Sequence, residues 1–138
     1  MLITNFQTIA LLFGKKTTVT IKNNMEALNE FETAILAKLS AEEPLLKRHI
    51  PHLTVSARER KGDSGVIIRF AYQPGSDKLD YIKKANLSTT GYLKMEGLED
   101  GLIDSLKITE GRVDFLELVT YAEPWDGEIR PFRWDDKL

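Results

Sequence analysis

An α+β fold, a mostly antiparallel sheet of about six strands with one main helix packed on one face, is what this chain predicts. Three observations carry the expectation. Leu28, Phe31, Ile35 and Leu39 recur at spacings of three and four, one apolar stripe of a helix. Two alternating runs, Leu53-Val55-Ala57 and Val66-Ile68-Phe70-Tyr72, flank the turn Gly62-Asp63-Ser64-Gly65 and read as an antiparallel hairpin. A second strand pair spans about 102–121 around Glu110-Gly111. At 138 residues the chain has the size of one domain, 1–138, with 122–138 expected as an extended tail packed on the sheet.

Taken in order, residues 4–13 and 17–22 predict two strands joined at Gly14-Lys15-Lys16. Thr17, Thr18, Val19, Thr20 and Ile21 are nearly all β-branched, which suits a pleated strand and costs a helix rotamer freedom. Asn23, with Glu26 three residues on, offers a capping box for a helix over about 24–40 whose Glu26, Glu30 and Lys38 face away. Ser40-Ala41-Glu42-Glu43 ahead of Pro44 gives a second cap and a short helical turn or loop. Pro74-Gly75-Ser76-Asp77 breaks the chain after the first hairpin. Residues 78–88 fit either a short amphipathic helix or an irregular edge. In the last strand Phe115 and Leu116 are both apolar, so alternation fails and a bulge is expected.

Composition closes off several chemistries. There is no cysteine, hence no disulfide, thiolate zinc site or thiol nucleophile. The start lacks a basic signal-peptide segment, and the apolar run Ile9–Phe13 is far short of a membrane span, so a cytoplasmic chain without membrane contact is expected. His49 and His52 form His-x-x-His, but Pro51 argues against the regular helix that would aim both at one metal. Asp100-Gly101 does not extend into a calcium loop, and no glycine-rich phosphate loop or nucleophile elbow is present. No catalytic residue, metal or cofactor is therefore predicted. Lys47, Arg48, Arg58, Arg60, Lys61 and Arg69 cluster in sequence, yet a pI near 5.7 and a second half that repels phosphate argue against nucleic acid.

Charge asymmetry is the strongest functional signal. From Glu96 to Glu128 ten carboxylates face only Lys107 and Arg112, in a protein whose whole net charge is −2. Apolar strand residues run through this stretch, so its carboxylates are held on a folded hairpin. A protein partner is the expectation, with Asp100, Asp104, Glu110, Asp114 and Glu117 steering and Trp125 or Trp134 anchoring. Strand alternation sets Asp114 on the face opposite Phe115 and Glu117 unless the bulge turns the strand. The competing expectation is a small-molecule-binding or enzymatic α+β domain, with a pocket between helix and sheet lined by His52, Tyr72 or Tyr92. A third is a structural subunit that dimerises through a sheet edge or the aromatic tail.

The stretch from Asp100-Gly101-Leu102-Ile103 through Glu110-Gly111-Arg112-Val113-Asp114-Phe115-Leu116-Glu117-Leu118 to Tyr121, Pro124 and Trp125 resembles the closing hairpin of small bacterial immunity proteins of polymorphic and contact-dependent toxin systems, which end on a Gly-Arg turn followed by a Leu-Glu strand. It covers about 25 of the 138 residues. The resemblance implies a toxin-neutralising protein whose acidic face meets a cationic toxin domain such as a nuclease.

Overall fold

The computed structural model describes residues 25–89 and 93–135. The strands expected at 4–13 and 17–22, the Asn23 cap and Tyr92 lie outside the described residues. Within them the chain is α+β: helices α1 (Glu30–Leu39) and α2 (Pro44–His49), a 3₁₀ turn (Ile50–His52), and strands β1 (Leu53–Lys61), β2 (Gly65–Tyr72), β3 (Asn86–Leu87), β4 (Leu93–Met95), β5 (Leu102–Thr109), β6 (Arg112–Thr120) and β7 (Phe132–Trp134).

The main helix starts six residues later than the first capping signature suggests. Asn29-Glu30-Phe31-Glu32 repeats the Asn-x-x-Glu pattern of Asn23–Glu26, and the later copy is used. Asn29 Oδ1 accepts from Glu32 N (2.8 Å) while Glu32 Oε1 accepts from Asn29 N (2.9 Å), a reciprocal capping box. Glu26 is drawn elsewhere: its backbone pairs with Val55 through bonds of 2.9 and 2.8 Å. Downstream, Phe31, Ile35, Leu36 and Leu39 are buried, each side chain stabilising the fold by about 1.5–3 kcal/mol. The second cap forms through Glu43, whose carboxylate accepts from Leu45 N, with Pro44 at the first helical position.

Every strand pairing is antiparallel, in the order β1-β2-β6-β5-β4-β7, with β3 beside β4 on the same edge of β5. Both expected hairpins form. The three short strands β3, β4 and β7 were not legible in the sequence, and residues 78–85 take no helix; Ile82 is held down instead by its amide donating to Gly111 O (3.1 Å). Three residues of the tail form a strand: Phe132–Trp134 pairs with β4, and Phe132 meets Phe31 of α1 edge to face at 4.9 Å. One face of the sheet presents Val55, Ile68, Phe70, Leu102, Leu106, Leu116 and Leu118 to the helices in a single core. The opposite face is covered by no helix among the described residues and mixes half-buried Ile67, Ile103, Phe115 and Val119 with ion pairs Lys61–Glu117 and Arg69–Glu59.

The expected bulge is present. Pairing steps from Lys107↔Phe115 to Ile108↔Val113, leaving Asp114 as the extra residue. Val113 and Leu116, three apart, both point into the core, so Asp114 and Phe115 stay off it together. Where the β2–β6 ladder stops, the Val113 amide donates to the Tyr72 hydroxyl instead (2.7 Å), which satisfies a group that would otherwise be orphaned.

The β5–β6 turn has two central residues, Glu110 (φ 51°) and Gly111 (φ 79°), the signature of a type I′ turn. Only Gly fits the second position, because a Cβ there would lie 2.5 Å from the Tyr81 ring. Glu110→Asn should raise stability by about 0.5–1 kcal/mol, since Asn tolerates positive φ, whereas Gly111→Ala should lower it by at least about 1 kcal/mol. Paired denaturant titrations check both signs.

Candidate functional site

The seven residues expected to bind a partner do not share one surface. Asp104 is fully buried on the core side of β5, and Trp125 is buried beneath the tail. Asp104 therefore cannot steer a partner: Oδ1 accepts from Thr89 N (2.7 Å) and Oδ2 from the Thr89 hydroxyl. Burial pushes its carboxyl above the ordinary range against those hydrogen bonds. Trp125 donates its indole N–H to Glu128 O (3.0 Å) and its amide to Asp63 O (2.9 Å), fastening the tail to the β1–β2 turn. Trp134 lies on the far edge strand with the Lys38 ammonium 5.2 Å from its ring centroid.

The remaining four also separate. Glu110 is exposed at the β5–β6 turn, with Asp114 close by accepting from the Thr109 hydroxyl (2.7 Å). Glu117 sits mid-sheet, ion-paired with Lys61. The bulge brings Asp114 onto the same side as Phe115, lifting the conflict that strict alternation imposes. Asp100 lies at the other end, about 23 Å away along β5.

That other end is where charge gathers. Antiparallel pairing brings the connections 62–64, 96–101 and 121–131 together beyond the ends of β1, β4, β5 and β6. They carry Asp63, Glu96, Glu99, Asp100, Glu123, Asp126 and Glu128 against Arg130, and Arg60 at the end of β1 also reaches in among them. Glu123 organises them: its two carboxylate oxygens accept from the amides of Glu99 (3.2 Å) and Asp100 (3.1 Å). Arg130 grips Asp126 with two bonds (2.8 and 3.1 Å) and pulls that carboxyl down to about 2. Gly101 (φ 80°) allows the turn to pass against Leu93 O, where a Cβ would stand 2.3 Å away. Between the connections lies a shallow depression of about 500 Å³, with Leu98, Pro124 and Trp125 as its apolar part. The opposite end is balanced, with Lys78, Lys83 and Lys84 against Asp77 and Asp80 in 73–85. Sequence reading found the charge but assigned it to the hairpin face, because only the pairing register shows which carboxylates meet.

A second, smaller cavity of about 210 Å³ lies between the start of α1, strands β1, β2 and β6, and the tail. Val66, Ile68 and Leu118 form its floor and Ile129 its lip, 41 % exposed. Glu32 and Arg58 close one side: Glu32, 1 % exposed, accepts from Arg58 Nε (2.7 Å) and Nη2 (2.9 Å). The Arg58 guanidinium also reaches Glu26 (2.6 Å), and its pKa is raised by the bonds to Glu32. Neither His52 nor Tyr72, which the sequence suggested for a helix–sheet pocket, lines this cavity, and Tyr92 lies outside the described residues. Tyr72 is engaged elsewhere, and His52 Nδ1 lies 3.2 Å from Ser76 Oγ.

His49 is the buried polar group that pattern reading missed as structural. Because the Tyr72 hydroxyl accepts from Val113 N, its proton goes to His49 Nδ1 (2.8 Å), and Nε2–H then donates to Asp80 O (2.7 Å). The ring is held neutral and fully bonded, its pKa lowered mainly by burial. No group of three metal-ligating side chains occurs among the described residues. No helix there is long and apolar enough to cross a membrane.

A depressed histidine pKa means folding favours the neutral ring. Its contribution is complete above about pH 6.5, the unfolded value, and is lost as pH falls below it. Denaturant midpoints should therefore drop between about pH 7.5 and 5.5 in the native protein, and drop less in His49→Gln. For the buried carboxylate, Asp104→Asn should hold or raise stability at neutral pH, while Asp104→Leu removes both of its hydrogen bonds to Thr89 and should cost about 1–3 kcal/mol. No protein-family model, curated protein or solved structure matches the chain.

Proposed function

We propose that the chain is a non-catalytic protein-binding protein that meets a cationic partner with its acidic end, acting as an immunity protein that neutralises a toxin. The observation that carries this reading is the convergence of seven carboxylates and one arginine on three adjacent connections. Fixed charges of one sign raise the association rate of an oppositely charged surface, and a nuclease, which binds polyanionic substrate, presents such a surface at its cleft. The depression between these connections offers Leu98 and Pro124 as apolar contact beside Asp63, Asp126, Arg60 and Arg130, with the buried Trp125 supporting it from beneath. Glu123 and Asp126 are committed to backbone amides and to Arg130, so they shape the rim. Asp63, Glu96, Glu99, Asp100 and Glu128 are its free-standing charges among the described residues.

The expected partner is a polypeptide with a basic surface, encoded beside this chain and toxic when expressed alone. Co-expression should restore growth, and the purified pair should associate with a rate that falls steeply as salt rises. Replacing Glu96, Asp100 and Glu128 together by Lys should slow association at low salt by at least about tenfold. Glu110→Lys with Asp114→Lys, at the opposite end, should change it by less than about twofold. A rate indifferent to salt and to both sets of charges would remove the proposal.

A further inference from the structure

The 210 Å³ cavity beside α1 shares Arg60 and Asp126 with the depression at the acidic end, and its polar groups are unevenly satisfied. Three carboxylates border it, and each has its own arginine: Glu32 with Arg58, Asp126 with Arg130, and Glu59 with Arg69. Arg60 is different. It follows the ion-paired strand residues on the core side of β1, opposite Val66, and has no carboxylate partner among the described residues. Its one polar contact is Nη2 to Gly62 O at 3.4 Å. Its guanidinium lies over Gly127 at the cavity wall, so close that a Cβ on Gly127 would stand 2.8 Å from Nη1. Across the mouth, Asn29 spends its carbonyl on Glu32 N, and its amide N–H₂ has no acceptor among the described residues. The cavity thus combines an apolar floor with two donors, the Arg60 guanidinium and the Asn29 amide, that no carboxylate engages among the described residues, while Glu32 and Asp126 are already ion-paired.

We propose that this cavity binds a small carboxylate with a compact apolar body, the body against Val66, Ile68, Leu118 and Ile129 and the carboxylate between Arg60 and Asn29. An anion is favoured because the two groups left without a carboxylate partner, the Arg60 guanidinium and the Asn29 amide, are both donors. Size selects a small one. The volume exceeds the roughly 150 Å³ cavity that holds benzene and falls below the roughly 300 Å³ at which drug-sized pockets begin. Planar Arg suits a carboxylate, which it grips with two parallel bonds. The gap lies between the start of α1 at Glu30 and the tail residues Asp126, Gly127 and Ile129.

The test is a titration of the whole protein with sodium benzoate and, separately, with benzyl alcohol, followed by amide and methyl chemical shifts. Benzoate should give saturable shifts concentrated at Arg60, Ile68, Leu118 and Ile129, and should bind more tightly than benzyl alcohol by at least about fivefold. Arg60 is exposed, so Arg60→Gln leaves the fold intact; it should weaken benzoate by about tenfold and leave benzyl alcohol within about twofold. Arg60→Lys should recover part of the loss. The proposal is overturned by shifts that do not saturate or that map to the surface lysines, or by benzoate binding that Arg60→Gln leaves unchanged.

Discussion

The bond between Glu32 and Arg58 is the contact on which the arrangement of the second layer depends. Glu32 is a carboxylate with almost no access to water, and such a charge persists only with its oxygens fully engaged. One oxygen closes the cap at Asn29 and also accepts from Arg58 Nη2, and the other accepts from Arg58 Nε. The cap and the ion pair are therefore one structure. It fixes where α1 starts, and it fixes that start against the middle of β1. With α1 pinned there, the far part of the core face is left to the tail, which reaches it through Trp125 and Ile129. The cavity and the crowding of the tail against the β1–β2 turn follow from that division.

A second buried network does the corresponding work at the other end of the sheet. The bulge at Asp114 ends the β2–β6 ladder, and the Tyr72 hydroxyl replaces the lost acceptor for Val113. His49 in turn accepts from Tyr72 and reaches Asp80, tying α2 to the connection after β2. Both networks place a titratable group where water does not reach. Both are satisfied by partners distant in sequence, since Glu32 and Arg58 are 26 residues apart and His49 and Asp80 are 31 apart.

That separation explains what was legible beforehand. Hairpins 53–72 and 102–120 were readable because alternation and turn chemistry act within a few residues, and the bulge was readable because Phe115-Leu116 breaks a period of two. Helix α1 was readable in kind but not in its start, since two Asn-x-x-Glu signatures compete and the Val55–Glu26 backbone pair decides between them. Asp104 counted as one more carboxylate of an acidic run. Its core-side position on β5 shows only if Leu102, Leu106 and Ile108 are read with it as one face, and its partner Thr89 lies on no recognisable strand. The acidic end was half visible: the charges are in the sequence, but the meeting of 62–64, 96–101 and 121–131 is a property of register.

If Glu32 and Arg58 set the second layer as described, their energies must be strongly coupled. A double-mutant cycle on Glu32→Gln and Arg58→Met, read by denaturant unfolding at neutral pH, measures this directly. The account predicts that Arg58→Met costs at least about 2 kcal/mol, because it strands the buried Glu32 charge, that Glu32→Gln costs less, because Arg58 keeps Glu26, and that the double change costs less than the two summed by at least about 1.5 kcal/mol. Additive costs, or singles each below about 0.5 kcal/mol, would contradict it and mark the pair as one more surface contact.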